Sequence, residues 1–348
     1  MTVSARIIDL SKTAHLIIHK LLAVKPEEEI LLIADTETDM AMVYSLAAAA
    51  RSIGCEYTIA VMPSRTGQPH LLNVIPRAVA KAFEGADVAI GVTRTSFGPS
   101  LAPIQSKLVF EKKTLRYYSM ALRDPESMMR GGALADYDAL RESAAKLKKI
   151  FETGSRLTIR TELGTDFSAE VPKPEDTTPG FSGPFVRIED GWADKPGEEA
   201  AFPDGEVFFA PREYSARGRL VIDGPIEYVG VCREPIEIII QEGKIVEVIG
   251  KSEEARKLRV LLNSIEDADI IGEVAVGINP DSLRDGSAQE EKKTLGNCHI
   301  GFGIARGFPG TWMAKYKNLI HSDMIIRDVQ VAIDGRVVIE EDKLSLEN

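Results

Sequence analysis

The sequence predicts an α/β protein, with an N-terminal doubly wound α/β domain over residues 1–150 and a C-terminal, mostly β (α+β) domain over residues 151–348. Up to about residue 150, apolar runs of strand length alternate with helix-spaced segments. From Arg156 onward, short strands of alternating character take over. Charge changes at the same point. Residues 1–150 carry 19 basic and 16 acidic side chains, and residues 151–348 carry 23 and 37, so the second part holds the acidic excess. A chain of 348 residues can build two cores of its own.

Residues 7–24 place Ile7, Leu10, His15, Ile18, Leu21 and Leu22 near helical spacing, and Pro26 ends the pattern. Residues 30–35 form a short apolar run of the kind buried in a parallel sheet. A polar turn at 36–39 follows, then an Ala-rich helix to about Ile53, Gly54 as its cap, and a second strand over 57–62. A third strand over 87–93 comes after a helix capped by Gly85. The turn after the first strand has no glycines. The nearest approach to a dinucleotide fingerprint, Gly301-Phe-Gly303-Ile-Ala-Arg-Gly307, has one residue too many, which argues against a dinucleotide site. Residues 136–152 read as a charged amphipathic helix. Strands are then expected at 157–161, 167–171, 218–222, 236–241 and 244–249. A closing hairpin joins 329–333 to 336–339 through Asp334-Gly335. Residues 171–205, with six prolines and five glycines, are too long for a plain connector and read as a lid or a disordered segment.

Composition excludes several classes of function. The acidic balance, without a Lys/Arg run interleaved with aromatics, argues against nucleic-acid binding. No apolar stretch of about 18 residues is present, and the N-terminus lacks a signal-peptide core, so no membrane partner and a cytoplasmic location are expected. Cys55, Cys232 and Cys298 are odd in number and never in a C-x-x-C pair, which reads as reduced core cysteines.

The second domain holds the residues able to do chemistry. His15 and His19 share a helix face but lack the glutamate of a zincin helix, and His70 lies in a Gly-Gln-Pro-His turn. In His321-Ser322-Asp323, period-2 geometry points the imidazole and the carboxylate to the same side of a strand. Glu206 and Glu273 each follow a glycine at the entry to an apolar run, where a carboxylate is costly unless paired or coordinated. His299, in Gly296-Asn-Cys-His-Ile-Gly-Phe-Gly303, has small neighbours that permit close approach. Two glutamates, two histidines and an aspartate suit a mixed nitrogen and oxygen site for zinc, cobalt, manganese or iron. Five donors fit a two-metal arrangement bridged by carboxylates. Glu290 and Glu291 are the candidates for a general base, against the alternative that they and Lys292-Lys293 are a solvated charge run.

Taken together, Glu206 in Phe-Pro-Asp-Gly-Glu-Val-Phe-Phe, Glu273 in Ile-Gly-Glu-Val-Ala-Val-Gly, His299, and His321-Ser-Asp323 closely resemble the thermophilic metallo-aminopeptidase family (aminopeptidase T and S type, leucyl aminopeptidase-like). The likeness extends to Gly164-Thr-Asp166 and the terminal Asp334-Gly335 hairpin. It implies a two-domain homodimer that removes N-terminal residues from peptides, with two divalent ions (Zn, Co or Mn) per chain. Glu206, Glu273, His299, His321 and Asp323 would be the metal ligands. One position departs: seven residues after His299, where the family has a tyrosine ligand, stands Arg306. A guanidinium cannot ligate a metal, and Arg306 would instead clamp a substrate carboxylate. The chain is also similar to the dihydroxypyridine ring-cleaving dioxygenases, for which His299, His321 and Asp323 would hold one Fe(II) and the substrate would be a small molecule. A non-catalytic metal- or ligand-binding relative is the third alternative. Retention of both glutamates favours the hydrolase.

Overall fold

Residues 30–34, Ile-Leu-Leu-Ile-Ala, are apolar at every position, which suits a strand covered on both faces, and they lie in the strand Glu29–Asp35. The structure, a computed structural model, describes residues 3–65, 75–94, 104–176, 185–304 and 320–347. Two units emerge, one of residues 1–137 with 189–204 and the other of 138–188 with 205–348.

The first unit is a five-stranded parallel sheet. Its order is Glu56–Met62, Glu29–Asp35, Val88–Thr93, Arg116–Ala121 and Glu199–Ala201. Val88–Thr93, a central strand, is buried throughout, while the edge strand Glu56–Met62 is largely open to solvent. The helix Met40–Ser52 starts where the Asp39 side chain accepts from the Ala41 amide, a cap that contributes about 1 kcal/mol. It ends beside Gly54, whose φ of 87° suits a residue without a Cβ. The opening helix Val3–His15 runs into a wider turn, Leu16–Leu21.

Segment 171–205 differs from its sequence reading. Its C-terminal part supplies Glu199–Ala201 as the fifth parallel strand, and residues 189–204 belong to the first unit. Three residues are too few for alternation to register as a strand. The helix Tyr137–Thr153 spans the boundary predicted after residue 150, and nearly all of it goes with the second unit.

The second unit contains two sheets of antiparallel pairs. The first runs from Lys244–Ile249 through Ile236–Gln241, Arg217–Ile222, Asp166–Glu170, Arg156–Arg160, Gln330–Ile333 and Arg336–Glu340 to Lys343–Leu344. The second has His321–Ile326, Cys298–Gly303, Ile271–Gly277 and Glu206–Phe209 side by side at its centre. Every residue of these four strands is buried. Phe151, on the helix Tyr137–Thr153, meets Phe209 edge to face with ring centroids 6.0 Å apart. This sheet carries the candidate site.

Candidate metal centre

Register brings the site together. Glu206 pairs with Gly277, His299 with Ala275, and Gly301 with both Glu273 and Asp323, while His321 pairs with Gly303. Because side chains alternate along each strand, Glu206, Glu273, His299, His321 and Asp323 all stand on one face of the sheet. A register shift between Ile271 and Glu273 lies beside the cluster. Gly301 sits at its centre: a Cβ there would come within 2.9 Å of Glu273 Cβ, 3.1 Å of His321 Cε1 and 3.2 Å of Asp323 Oδ1.

Two groups of donors could hold a metal ion, Glu206–Glu273–His299 and Glu273–His321–Asp323, and all their members are buried. His299 Nε2 lies 3.0 Å from Glu273 Oε1, 3.8 Å from Glu206 Oε2 and 4.0 Å from Asp323 Oδ1. His321 Nε2 lies 3.1 Å from Asp323 Oδ1 and 4.0 Å from Glu273 Oε2. On the other side of its ring, His321 Nδ1 donates to the Ile304 carbonyl at 2.7 Å. That bond selects the tautomer, because a carbonyl can only accept. In the neutral ring the Nε2 lone pair then faces a carboxylate oxygen, a contact that a cation satisfies. The donor chemistry therefore fits a divalent metal.

Two lysines complete the electrostatics. Lys292 Nζ donates to Asp323 Oδ2 at 3.0 Å, and Lys293 Nζ, fully buried, lies 2.8 Å from Glu206 Oε1. Burial opposes the charge on Lys292, but Asp323 and Glu206 outweigh it and raise its pKa. Burial likewise works against the Asp323 carboxylate. Lys292, His299 and His321 overcome it and hold Asp323 well below the usual carboxylate range. For His299, burial favours the neutral ring, while Asp323, Glu206 and Glu273 pull its pKa above the ordinary value.

Glu290 and Glu291, the expected general bases, have other partners. Glu291 receives both Arg327 Nε and Nη2 at 2.8 Å and the Gly286 amide at 2.7 Å, and Glu290 Oε1 accepts from the Leu283 amide at 3.0 Å. The residues from this run that reach the cluster are the lysines, which sequence reasoning passed over as part of a charged surface. The one available signal is Gly277, where a Cβ would come within 2.3 Å of Thr294 O and 2.7 Å of Lys293 C. A glycine inside a strand marks the close approach of another backbone, here the one that carries the lysines. Arg306 and His70 lie outside the described residues. His15 and His19 stack with ring centroids 3.6 Å apart in the first unit. Among the described residues, no helix is long and apolar enough to cross a membrane.

A model of the family described as NicX: 2,5-dihydroxypyridine 5,6-dioxygenase matches residues 15–345. A 2,5-dihydroxypyridine 5,6-dioxygenase of Pseudomonas putida KT2440 is 27% identical over 277 residues, covering 75% of this chain and 72% of the relative. Among solved structures, the 2,5-dihydroxypyridine dioxygenase of the same organism superposes with a TM-score of 0.77 at 20% identity, over 98% of each chain. Wild-type AmpT from Thermus thermophilus superposes with a TM-score of 0.67 at 19% identity, over 97% of this chain and 99% of that one. At such identities the superpositions show the fold, a mixed α/β architecture with a C-terminal β domain.

These findings overturn the expected metallo-aminopeptidase, and with it the hydrolase and protease reading. The family match and the sequence relative both carry the name of a dioxygenase, and the likeness to AmpT is one of fold alone. The physical reason is that a face bearing glutamates, histidines and an aspartate specifies a hard divalent cation and leaves the reaction open.

Proposed function

The chain belongs to the NicX family of 2,5-dihydroxypyridine 5,6-dioxygenases, and on that premise we propose that it is an iron-dependent dioxygenase that opens a dihydroxylated, nitrogen-containing aromatic ring. The observation that carries this reading is the buried cluster of two imidazoles and three carboxylates on one sheet face, in a chain of that family. Glu273, His321 and Asp323 would hold the ion. His299 Nε2, 3.0 Å from Glu273 Oε1, is a further nitrogen donor beside them. Bound there, Fe(II) would supply the one-electron chemistry through which dioxygen reacts with an aromatic ring.

The protein's own residues prepare that site. The Ile304 carbonyl holds His321 in the tautomer that aims Nε2 inward. Lys292 engages Asp323 Oδ2 and leaves Oδ1 directed at the imidazoles. Burial of all five donors keeps bulk water from competing for the ion and strengthens each electrostatic contact.

The test is anaerobic loading with Fe(II) followed by mixing with 2,5-dihydroxypyridine and oxygen. We expect oxygen uptake matched to loss of the aromatic absorbance, with both atoms of labelled dioxygen in the ring-opened product. Absence of uptake in iron-loaded protein across dihydroxylated pyridines and benzenes would overturn the reading. Leucine-4-nitroanilide with cobalt or zinc should remain uncleaved.

A further inference from the structure

We propose that the ammonium groups of Lys292 and Lys293 take the place of a second cation and so limit the five-donor cluster to one metal ion. The inference rests on the preceding reading in taking this cluster as the metal site. It deepens that reading by naming the residues that hold the metal count to one.

Glu206, Glu273, His299, His321 and Asp323 form two groups that share Glu273, an arrangement with donors enough for two ions. Each group also carries one lysine. Lys293 engages Glu206 Oε1 at 2.8 Å and Lys292 engages Asp323 Oδ2 at 3.0 Å. With neutral imidazoles, three carboxylates and two ammonium groups sum to −1. One divalent ion brings the cluster to +1, whereas two would bring it to +3 inside a buried site, where uncompensated charge is strongly disfavoured. Without the lysines, the same carboxylates and two divalent ions would sum to +1. Glu227, whose charge also reaches Lys292, is only half-buried.

The lysines are built into the fold. The backbone of Lys293 and Thr294 lies against Gly277, and the Asn279 amide donates to the Lys293 carbonyl at 2.8 Å. The Gly277 amide in turn donates to the Asn297 carbonyl at 3.0 Å. Segment 293–297 is thereby fixed to the strand that carries Glu273, and Lys293 has a defined origin from which to reach Glu206.

The experiment equilibrates the full chain with excess Mn(II), removes unbound metal, counts manganese per chain by elemental analysis, and records the electron paramagnetic resonance spectrum. Wild-type protein and Lys293→Arg should hold one ion with the spectrum of isolated Mn(II). Lys292→Met/Lys293→Met, verified as folded by circular dichroism, should hold two with an exchange-coupled spectrum. Lys293→Met alone should begin to take the second ion at Mn(II) levels that leave the wild type with one. Two coupled ions in wild-type protein would overturn the proposal without any variant, as would a folded double variant that stops at one. Wild-type protein that binds no metal would overturn both this inference and the functional reading. One bound ion without ring oxidation after iron loading would overturn the function and leave the count standing.

Discussion

At the site, Glu206, Asp323 and His321 each have a partner outside the donor set that orients them. His321 is held between the Ile304 carbonyl and Asp323. Its replacement, His321→Ala, should lower metal affinity by more than the roughly 10- to 100-fold that loss of an outer hydrogen-bond partner costs. Metal content by elemental analysis after dialysis checks this, and an unchanged content would remove His321 from the site. Glu291 is fully buried against Arg327, so Arg327→Met strands a carboxylate and should destabilise the protein by about 3–5 kcal/mol in urea unfolding. Burial first, then neighbouring acids, pushes the Cys55 thiol up to about 11 and the Cys232 thiol up to about 12, and burial raises Cys298 further. Because the folded values are raised, the associated stability is fully present below the unfolded thiol pKa of about 8.5 and is lost as pH climbs through the folded values. At pH 8 the folded chain should react slowly with a thiol reagent, and rapidly at all three cysteines once unfolded. Fast labelling of the native protein would contradict the burial of these thiols.

Strand pairing turns separate motifs into one site. His321-Ser-Asp323 was legible because two residues two apart on a strand must share a face, and the glycines before Glu206 and Glu273 flagged costly carboxylates in apolar runs. What alternation cannot express is register. Pairing of Gly301 with both Glu273 and Asp323 brings His299 alongside them, and it depends on contacts between residues more than twenty positions apart. Gly301→Ala tests that register, since its Cβ would push into Glu273, His321 and Asp323. The variant should lose metal affinity by tenfold or more while the far-UV spectrum of the sheet persists. Normal metal binding in Gly301→Ala would show that the donors do not converge over this glycine. The strand Glu199–Ala201 marks the opposite limit, for its place is set by Arg116–Ala121 alongside it more than by any pattern of its own.

For the chain as a whole, metal binding and folding are linked. An ion that binds the folded state and not the unfolded one should stabilise it by about 2.7 kcal/mol when free metal is 100 times Kd. Thermal unfolding of Fe(II)-loaded against chelator-treated protein under anaerobic conditions should therefore show an upward shift of several degrees. No shift would mean that the cluster does not bind iron in the folded state. The acidic excess of residues 151–348 is a setting that favours cations. Within the described residues, part of that excess is answered internally, by Lys292, Lys293 and Arg327, on Asp323, Glu206 and Glu291.

Residue order alone was enough to read the α/β class, the change of rhythm near Arg156 and, as residues to watch, Glu206, Glu273, His299, His321 and Asp323, which the fold gathers on one sheet face. Each of these follows from short-range periodicity or from the cost of burying a charge, which a single segment carries within itself. The folded chain decided which neighbours of those donors count. It set Glu291 on Arg327, sent Lys292 and Lys293 to the carboxylates, and returned residues 189–204 to the first unit, with Glu199–Ala201 in its sheet. Adjacent charged residues in a short helix and turn can face solvent or a buried site with little change in local pattern. The packing of the Lys293–Thr294 backbone against Gly277, on a strand that a single segment's pattern does not include, settles which of them turns inward.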